Sequence, residues 1–457
     1  MNLAPPLLAA GGHVVEATLL LVLIQLCVII VVARVFAMLF SKIGQPAVVG
    51  EIIAGLILGP SFFGHFYPDA FNRIFDNSVN QIFQILSQLG LIFLLFLIGL
   101  EFDFSHLKTS GKSSLAISVV GIVLPFGLGY GLAQIMHPHI GNVQLPGGGS
   151  KAVDLTGFSL FMGTAMSITA IPILGRIMME LNITRSRLGA ITITAAAVDD
   201  AAGWIILAAV SALVRNNFNP GNTLLMLGEA VGFALGMVFI VKPLLKRWIQ
   251  YALRRGDQEL GLNSLAILFI LMFLCSIATN LIGIFAIFGA FILGATLSSE
   301  DNFRAVITRY FRNFVTVFFL PIFFTYTGLR TDIGSLQGGT LWMFAALVSL
   351  AAIVGKFGGC TLAARLTGIS GRESSCIGVM MNTRALMELI VINVGYDLGV
   401  IPRSVFCMLV MMAVLTTVMT TPILLRLARG TELEPLIGQT NFVVKGAIPR
   451  RPAATVR

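Results

Sequence analysis

Residues 188–214 read LGAITITAAAVDDAAGWIILAAVSALV, an apolar stretch long enough to span a bilayer, with two adjacent carboxylates at its middle, Asp199 and Asp200. A charge at the bilayer centre costs at least ~2.5–3.5 kcal/mol on insertion scales, and adjacent carboxylates also repel each other. Ionisable residues inside membrane segments usually mark an ion or proton path. The pair is therefore the predicted functional centre, and the rest of the chain is interpreted around it.

Two other interpretations of this stretch are a buried core helix of a large soluble protein and a membrane helix whose Asp pair is purely structural. The composition of the chain argues against the first interpretation, a soluble protein. The 457 residues are 56% hydrophobic and 11% charged, with a mean hydropathy of +0.92, whereas globular domains carry about 25% charged residues. The sequence thus predicts an all-α polytopic membrane protein. Its net charge of +9 is interpreted as a topology signal rather than as nucleic-acid binding.

Apolar segments predict about thirteen transmembrane helices, of which the second and the ninth are short. They cover about 17–39, 44–59, 83–102, 112–135, 156–179, 188–214, 222–244, 262–281, 283–299, 314–329, 341–365, 373–397 and 404–427. With the N-terminus outside, 23 of the 30 lysines and arginines fall on the inner side and 5 on the outer side, and the other 2 lie deep within spans. This asymmetry predicts an outer N-terminus and a short cytoplasmic tail at 430–457.

The fifth span contains Thr164, Ser167 and Thr169 ahead of Pro172. Proline removes a backbone donor, so an unwound stretch here would offer carbonyl and hydroxyl oxygens, the ligands that a hard cation needs. A simple proline kink is the alternative.

The twelfth span carries Asn382, Thr383, Arg384 and Glu388 in an apolar run. Arg384 and Glu388 are four residues apart, which predicts that they share a helix face and pair. Nothing in this segment forces a break, so unwinding is less strongly indicated here than in the fifth span.

Lys356 lies deep in the eleventh span and needs a counter-charge. The Asp pair is the candidate, since an ion pair lowers the burial cost of both groups. The alternative is that Lys356 snorkels to an interface. Spans four to six and eleven to thirteen hold the two polar clusters at an offset of seven spans, which is the arithmetic of an inverted repeat with two broken, crossing helices.

Five stretches carry a family resemblance: GQPAVVGEIIAGLILGP (44–60), LLFLIGLEFD (94–103), SITAIPIL (167–174), VDD (198–200) and NTRALMELIV (382–391). They resemble the monovalent cation:proton antiporters, in the branch of the Kef and Nap proteins and the plant cation/proton exchangers. The chain is most similar to bacterial or cyanobacterial Na⁺/H⁺ antiporters, which implies a bacterial inner membrane or a cyanobacterial thylakoid.

The resemblance implies a homodimer in which a mobile core slides against a dimerisation domain. The core spans would be about 112–214 and 341–427, the dimerisation spans about 17–102 and 262–329, and the linker span about 222–244. It also implies that Asp200 carries the cation and the proton, while Asp199 pairs with Lys356. The presence of both aspartates and the lysine resembles the electrogenic members.

These observations predict Na⁺/H⁺ exchange, with Na⁺ and H⁺ as substrates and no cofactor. Asp200 would be the Na⁺ ligand, helped by Asp199, Thr169 and Ser167, while Lys356, Arg384 and Glu388 would provide coupling. K⁺ or Li⁺ as the transported cation stays open. A cation channel is a further alternative. An intramembrane aspartyl enzyme is another, although adjacent residues on a helix point about 100° apart and do not flank a substrate readily.

Overall fold

The computed structural model describes residues 11–75, 79–101, 111–140, 143–144, 150–169, 171–184, 186–216, 219–255, 261–384 and 386–438. Most of the predicted tail (439–457) and the end of the motif at 94–103 lie outside these residues. Within them the chain is helical, apart from one short antiparallel ladder in which β1 (Val143–Gln144) pairs with β2 (Ser150–Lys151).

The helices follow one another with few residues between them. In chain order they are α1 (Gly11–Lys42), α2 (Ala47–Leu58), α3 (Phe63–Phe66), α4 (Pro68–Ile74), α5 (Asn80–Glu101), α6 (Lys112–Met136), α7 (Leu155–Ser167), α8 (Ile171–Glu180), α9 (Arg187–Arg215), α10 (Pro220–Gly236), α11 (Lys242–Arg255), α12 (Leu262–Ile282), α13 (Ala286–Leu297), α14 (Asp301–Phe314), α15 (Leu320–Arg330), α16 (Gly338–Ile353), α17 (Gly359–Leu366), α18 (Gly371–Met381), α19 (Leu386–Asp397), α20 (Arg403–Leu427) and α21 (Glu434–Ile437). Three π-helical turns join neighbouring helices, at Met237–Val241, Val315–Phe319 and Val354–Gly358.

Ten helical segments in the described ranges are long and apolar enough to cross a membrane, or eleven if the bent pair α18–α19 counts as one span. Length and composition therefore support a polytopic membrane protein but not the full predicted count of thirteen. The two remaining predicted spans, the fifth and the ninth, correspond to the interrupted pair α7–α8 and to the 12-residue helix α13.

The chain divides into two compact units. The first comprises Met1–Leu39, Gly50–Phe102 and Leu224–Gly334. In this unit α13 packs closely on α5, because a side chain at Gly99 would place its Cβ only 2.3 Å from the Phe291 carbonyl oxygen. Helices α1, α2, α5 and α15 share an apolar core. The assignment of this unit to dimerisation stays a prediction.

The second unit comprises Phe40–Val49, Asp103–Thr223 and Ser335–Arg457. Here α6 packs on α7, α9 and α17, and α20 packs on α16, α18 and α19. Both broken pairs, α7–α8 and α18–α19, belong to this unit, as does the whole Asp-bearing helix α9. All the predicted site residues therefore lie in one compact unit.

Candidate ion-binding site

The Asp pair lies near the middle of α9, a 29-residue helix. The helix begins after Ser186, whose hydroxyl accepts a hydrogen bond from the Gly189 amide and so caps the first turn. Asp199 is fully buried and Asp200 is 2% exposed. Two carboxylates thus lie in the interior of the unit, where each needs a partner or a neutralising ion.

The fifth predicted span is broken, as Pro172 suggested. Helix α7 ends at Ser167 and α8 begins at Ile171, with Pro172 in its first turn, where its missing N–H forfeits no helical hydrogen bond. The break deprives the last carbonyls of α7 of intrahelical donors.

Two cationic side chains donate hydrogen bonds to these carbonyls. Lys356 Nζ donates to the Ser167 carbonyl, while the Arg384 guanidinium donates to the carbonyls of Ala165 at 3.2 Å and Met166 at 2.6 Å. Positive charge complements the negative end of a helix dipole. The freed carbonyls at the end of α7 are therefore bound by protein cations, and they are not the open cation ligands that the sequence suggested.

Lys356 lies in the π-helical turn Val354–Gly358 and is fully buried, so it does not snorkel. Its ammonium forms an ion pair with Asp199 Oδ2 and donates to the Ser167 carbonyl and, at 2.8 Å, to the Gly121 carbonyl. An ammonium has three donors, so all of them are used.

Hydroxyl groups complete the surroundings of Asp199. Thr169 Oγ1 donates to Asp199 Oδ2 at 2.6 Å, and the Met381 carbonyl, at 3.1 Å, is a second acceptor for the same proton. Ser118 Oγ donates to Asp199 Oδ1 at 3.3 Å. The predicted ligand Ser167 contributes through its carbonyl, because its hydroxyl donates to the Thr164 carbonyl at 2.9 Å.

Asp200 has different surroundings. Among the described residues, no donor lies within hydrogen-bonding distance of Asp200 Oδ1, although this atom is buried. A buried carboxylate oxygen without a donor is stabilised by a proton or by a cation. In the described ranges, no group of three or more His, Cys, Asp or Glu side chains forms a metal site.

The twelfth predicted span is broken as well. Helix α18 ends at Met381 and α19 begins at Leu386, and Ala385 lies outside the described residues. In the break, Arg384 Nη1 lies 3.4 Å from Glu388 Oε1, so these two form the expected i, i+4 ion pair. Both side chains are buried.

The family described as "Sodium/hydrogen exchanger, transmembrane" matches residues 27–427. The chain belongs to this family of cation/proton antiporters. A relative named Na(+)/H(+) antiporter NhaS4, from Synechocystis sp., is 39% identical over 90% of this chain and 98% of its own length.

Other relatives differ in length or in the cation they are named for. The K(+)/H(+) antiporter 1 of Saccharomyces cerevisiae is 34% identical over 89% of this chain, which spans about half of that protein, 46% of its length. The solved structure of the sodium proton antiporter MjNhaP1 from Methanocaldococcus jannaschii is similar in fold, with a TM-score of 0.61 at 16% identity, over 92% of this chain and 100% of that one. The family model and the relative covered over 98% of its length support cation/H⁺ antiport, and the apolar helices support a multi-pass membrane protein.

Sequence reasoning missed three contributors to the site. Ser118 was overlooked because a serine in an apolar helix carries no signal of its own. The Gly121 carbonyl has a sequence signal, since Pro125 lies four residues later and lacks the N–H that would bond it. Thr417 was also missed. Its hydroxyl accepts a hydrogen bond from the amide N–H of Arg384 at 3.2 Å and donates one to the carbonyl of the same residue. A side chain of α20 therefore replaces backbone hydrogen bonds that are lost at the second break.

Proposed function

We propose that this antiporter exchanges Na⁺ for H⁺ and that both substrates compete for Asp200. The observation that carries the proposal is the contrast within the Asp pair: Asp199 is bound by Lys356 and two hydroxyls, while Asp200 Oδ1 has no donor among the described residues. The 39% identity with a relative named as a Na⁺/H⁺ antiporter supports Na⁺ as the cation.

Competition follows from burial. A bare carboxylate in the interior of the unit is costly, so Asp200 holds either a proton or a dehydrated Na⁺. The two exclude each other because each neutralises the same charge. We propose no cofactor, since the electrochemical gradients of the two ions drive the exchange.

Asp199 and Lys356 set the charge of the site. Their ion pair keeps Asp199 occupied, so the substrate meets a single available carboxylate. If Lys356 gives up its proton when Na⁺ binds, more than one proton moves per Na⁺ and exchange is electrogenic. Arg384 contributes by neutralising the negative end of the α7 dipole, and Glu388 contributes by neutralising the positive start of the α19 dipole.

Alternating access is proposed to be an elevator motion. The unit that holds both broken helices would carry the neutralised site across the membrane, and the other unit would form a homodimer. The N-terminus would face outward and the C-terminus the cytoplasm, as the distribution of Lys and Arg predicts. The membrane would be the bacterial inner membrane or a thylakoid.

A K⁺/H⁺ antiporter is the second candidate, favoured by the 34% identity with a relative named for K⁺. A carboxylate site selects among monovalent cations by the size and number of its oxygen ligands. The same mechanism would operate with either cation.

The test measures proton flux in proteoliposomes across whose membrane a pH gradient has been imposed. Addition of Na⁺ should dissipate the gradient, K⁺ should do so weakly, and an imposed membrane potential should change the rate. Equal responses to both cations would contradict the proposed preference for Na⁺ and would indicate an antiporter of mixed Na⁺ and K⁺ selectivity. Absence of any cation-driven flux would contradict the proposal.

A separate variant tests whether the exchange is electrogenic. Asp199→Asn removes the negative partner of Lys356, so exchange should persist while its dependence on membrane potential is lost. If the variant keeps the potential dependence of the wild type, the charge movement does not involve this ion pair.

A further inference from the structure

The site contains a proline that the mechanism does not use. Pro125 lies inside α6, where it is buried. Because proline has no N–H, it cannot donate to the carbonyl four residues earlier, which is that of Gly121. That carbonyl instead accepts a hydrogen bond from Lys356 Nζ at 2.8 Å. The ammonium thus takes the place of a missing backbone donor.

The surrounding contacts fit this substitution. Gly121 leaves room for Cys360, because a Cβ there would lie 2.7 Å from Cys360 Sγ, and the same position is within van der Waals distance of Lys356 Nζ, at 3.7 Å. Gly355, the residue before Lys356, would place a Cβ only 3.0 Å from Pro125 Cα. Pro125 therefore packs directly against the π-helical turn that carries the lysine.

The same chemistry recurs in a second helix of the unit, away from Lys356. Pro422 lies inside α20, and the Val418 carbonyl four residues earlier accepts a hydrogen bond from Gln45 Nε2 at 3.2 Å. Here the replacement donor is neutral. This second proline provides a matched control, since it lies in the same unit and frees a carbonyl in the same way.

We infer that Pro125 is a positioning residue: by withholding an amide N–H it leaves the Gly121 carbonyl to Lys356, and this third acceptor holds the ammonium on Asp199. An alanine at this position would supply the N–H, and the helix would reclaim the carbonyl. Because a carbonyl oxygen has two lone pairs, the ammonium would then share this acceptor with the amide, and its hydrogen bond would weaken. The ammonium would turn towards Oδ1 of the neighbouring Asp200, which has no donor among the described residues, and compete there with Na⁺.

The first test measures thermal stability in two backgrounds. In the wild type, Pro125→Ala should lower Tm by about 3 °C or more, since the hydrogen bond of a buried cation to its acceptor is weakened. In the doubly neutral background Asp199→Asn/Lys356→Met, the same change should raise Tm, because the helix gains a hydrogen bond and loses a proline. A Tm change of the same sign in both backgrounds would overturn the inference.

Pro422→Ala is the control in both backgrounds. Its partner is Gln45, so its effect on Tm should be the same whether or not the charged pair is present. If it depends on the background as strongly as Pro125→Ala does, the coupling is not specific to Lys356 and the inference fails.

The second test measures transport, and this part rests on the proposed function. Pro125→Ala should raise the KM for Na⁺ about threefold to tenfold, less than full loss of a hydrogen bond to a charged group would give, because the ammonium shares the carbonyl with the new N–H. Lactic acid at position 125, the ester analogue of alanine, has no N–H and should restore the wild-type KM. An unchanged KM in the alanine variant, or equal KM values in the alanine and ester variants, would contradict the inference. A wild type that exchanges no cation would defeat the proposed function instead, and the Tm test would still decide the role of Pro125.

Discussion

Asp199 and Asp200 are neighbours on one helix and equally hidden from solvent, yet their surroundings have little in common. Around Asp199, an ammonium and two hydroxyls from three different segments converge on both carboxylate oxygens. At Asp200, one buried oxygen faces no donor in the described part of the chain.

The difference shows how one helix can provide a fixed charge and an exchangeable one. A buried carboxylate with several donors is stabilised as an anion and is a poor place for a transported ion. The same group without donors needs an external partner. Successive residues on a helix point about 100° apart, so the two side chains can meet different neighbours.

The largest effect is expected at Asp200, whose Oδ1 has no donor among the described residues. Asp200→Asn should abolish Na⁺-driven proton flux, reducing it to the level of empty liposomes. The amide of asparagine neither takes up an exchangeable proton nor carries the negative charge that holds Na⁺. Asp199→Asn is the matched control and should retain flux. If the two variants lose flux equally, the contrast between the two carboxylates has no functional meaning.

The next effect concerns the ammonium. Lys356→Met leaves Asp199 as an unpaired buried charge and should lower the free energy of unfolding by about 3–5 kcal/mol. Adding Asp199→Asn should recover most of that loss, since the double variant buries no lone charge. Chemical or thermal unfolding in detergent measures both. Additive losses in the double variant would show that the pair does not interact as described.

A smaller effect is expected at Thr169, whose hydroxyl bonds Asp199. Removing a hydrogen bond to a charged group costs about 1.5–3 kcal/mol, so Thr169→Val should raise the KM for Na⁺ about tenfold or more. Thr169→Ser keeps the hydroxyl and should behave like the wild type. Failure of serine to rescue would mean that the methyl group, rather than the hydrogen bond, matters at this position.

The smallest effect is expected at Ser118. Its contact with Asp199 is 3.3 Å, which is long for a hydroxyl donor. Ser118→Ala should therefore raise the KM for Na⁺ no more than about threefold. A loss larger than that of Thr169→Val would reverse the ranking of the donors around Asp199.

Hydropathy and residue spacing predicted much of this fold. Every predicted span corresponds to a helix, a helix with a π-helical turn or a broken pair, because apolar length is a direct requirement of the bilayer. The break near Pro172 was predictable from proline chemistry. The break at 382–385 was only weakly indicated, since its stabilising partner, Thr417, lies in a different helix and tertiary contacts leave no mark on local sequence.

The site was predictable in its charged members and less so in its oxygens. Asp199, Lys356 and the Arg384–Glu388 pair are conspicuous because charges are rare in apolar spans. The carbonyls at the end of α7 were expected to be open to the substrate, and the structure has them bound by Lys356 and Arg384. Which oxygens remain available depends on the distances between helices, and these are not encoded by spacing along one segment.

The central claim is that Na⁺ and a proton compete for Asp200. The most direct test is calorimetric titration of the purified protein with Na⁺ in two buffers of different ionisation enthalpy, which counts the protons released on binding. The wild type and Asp199→Asn should bind Na⁺ with proton release, and Asp200→Asn should neither bind Na⁺ nor release protons. Na⁺ binding by Asp200→Asn with undiminished proton release would contradict it.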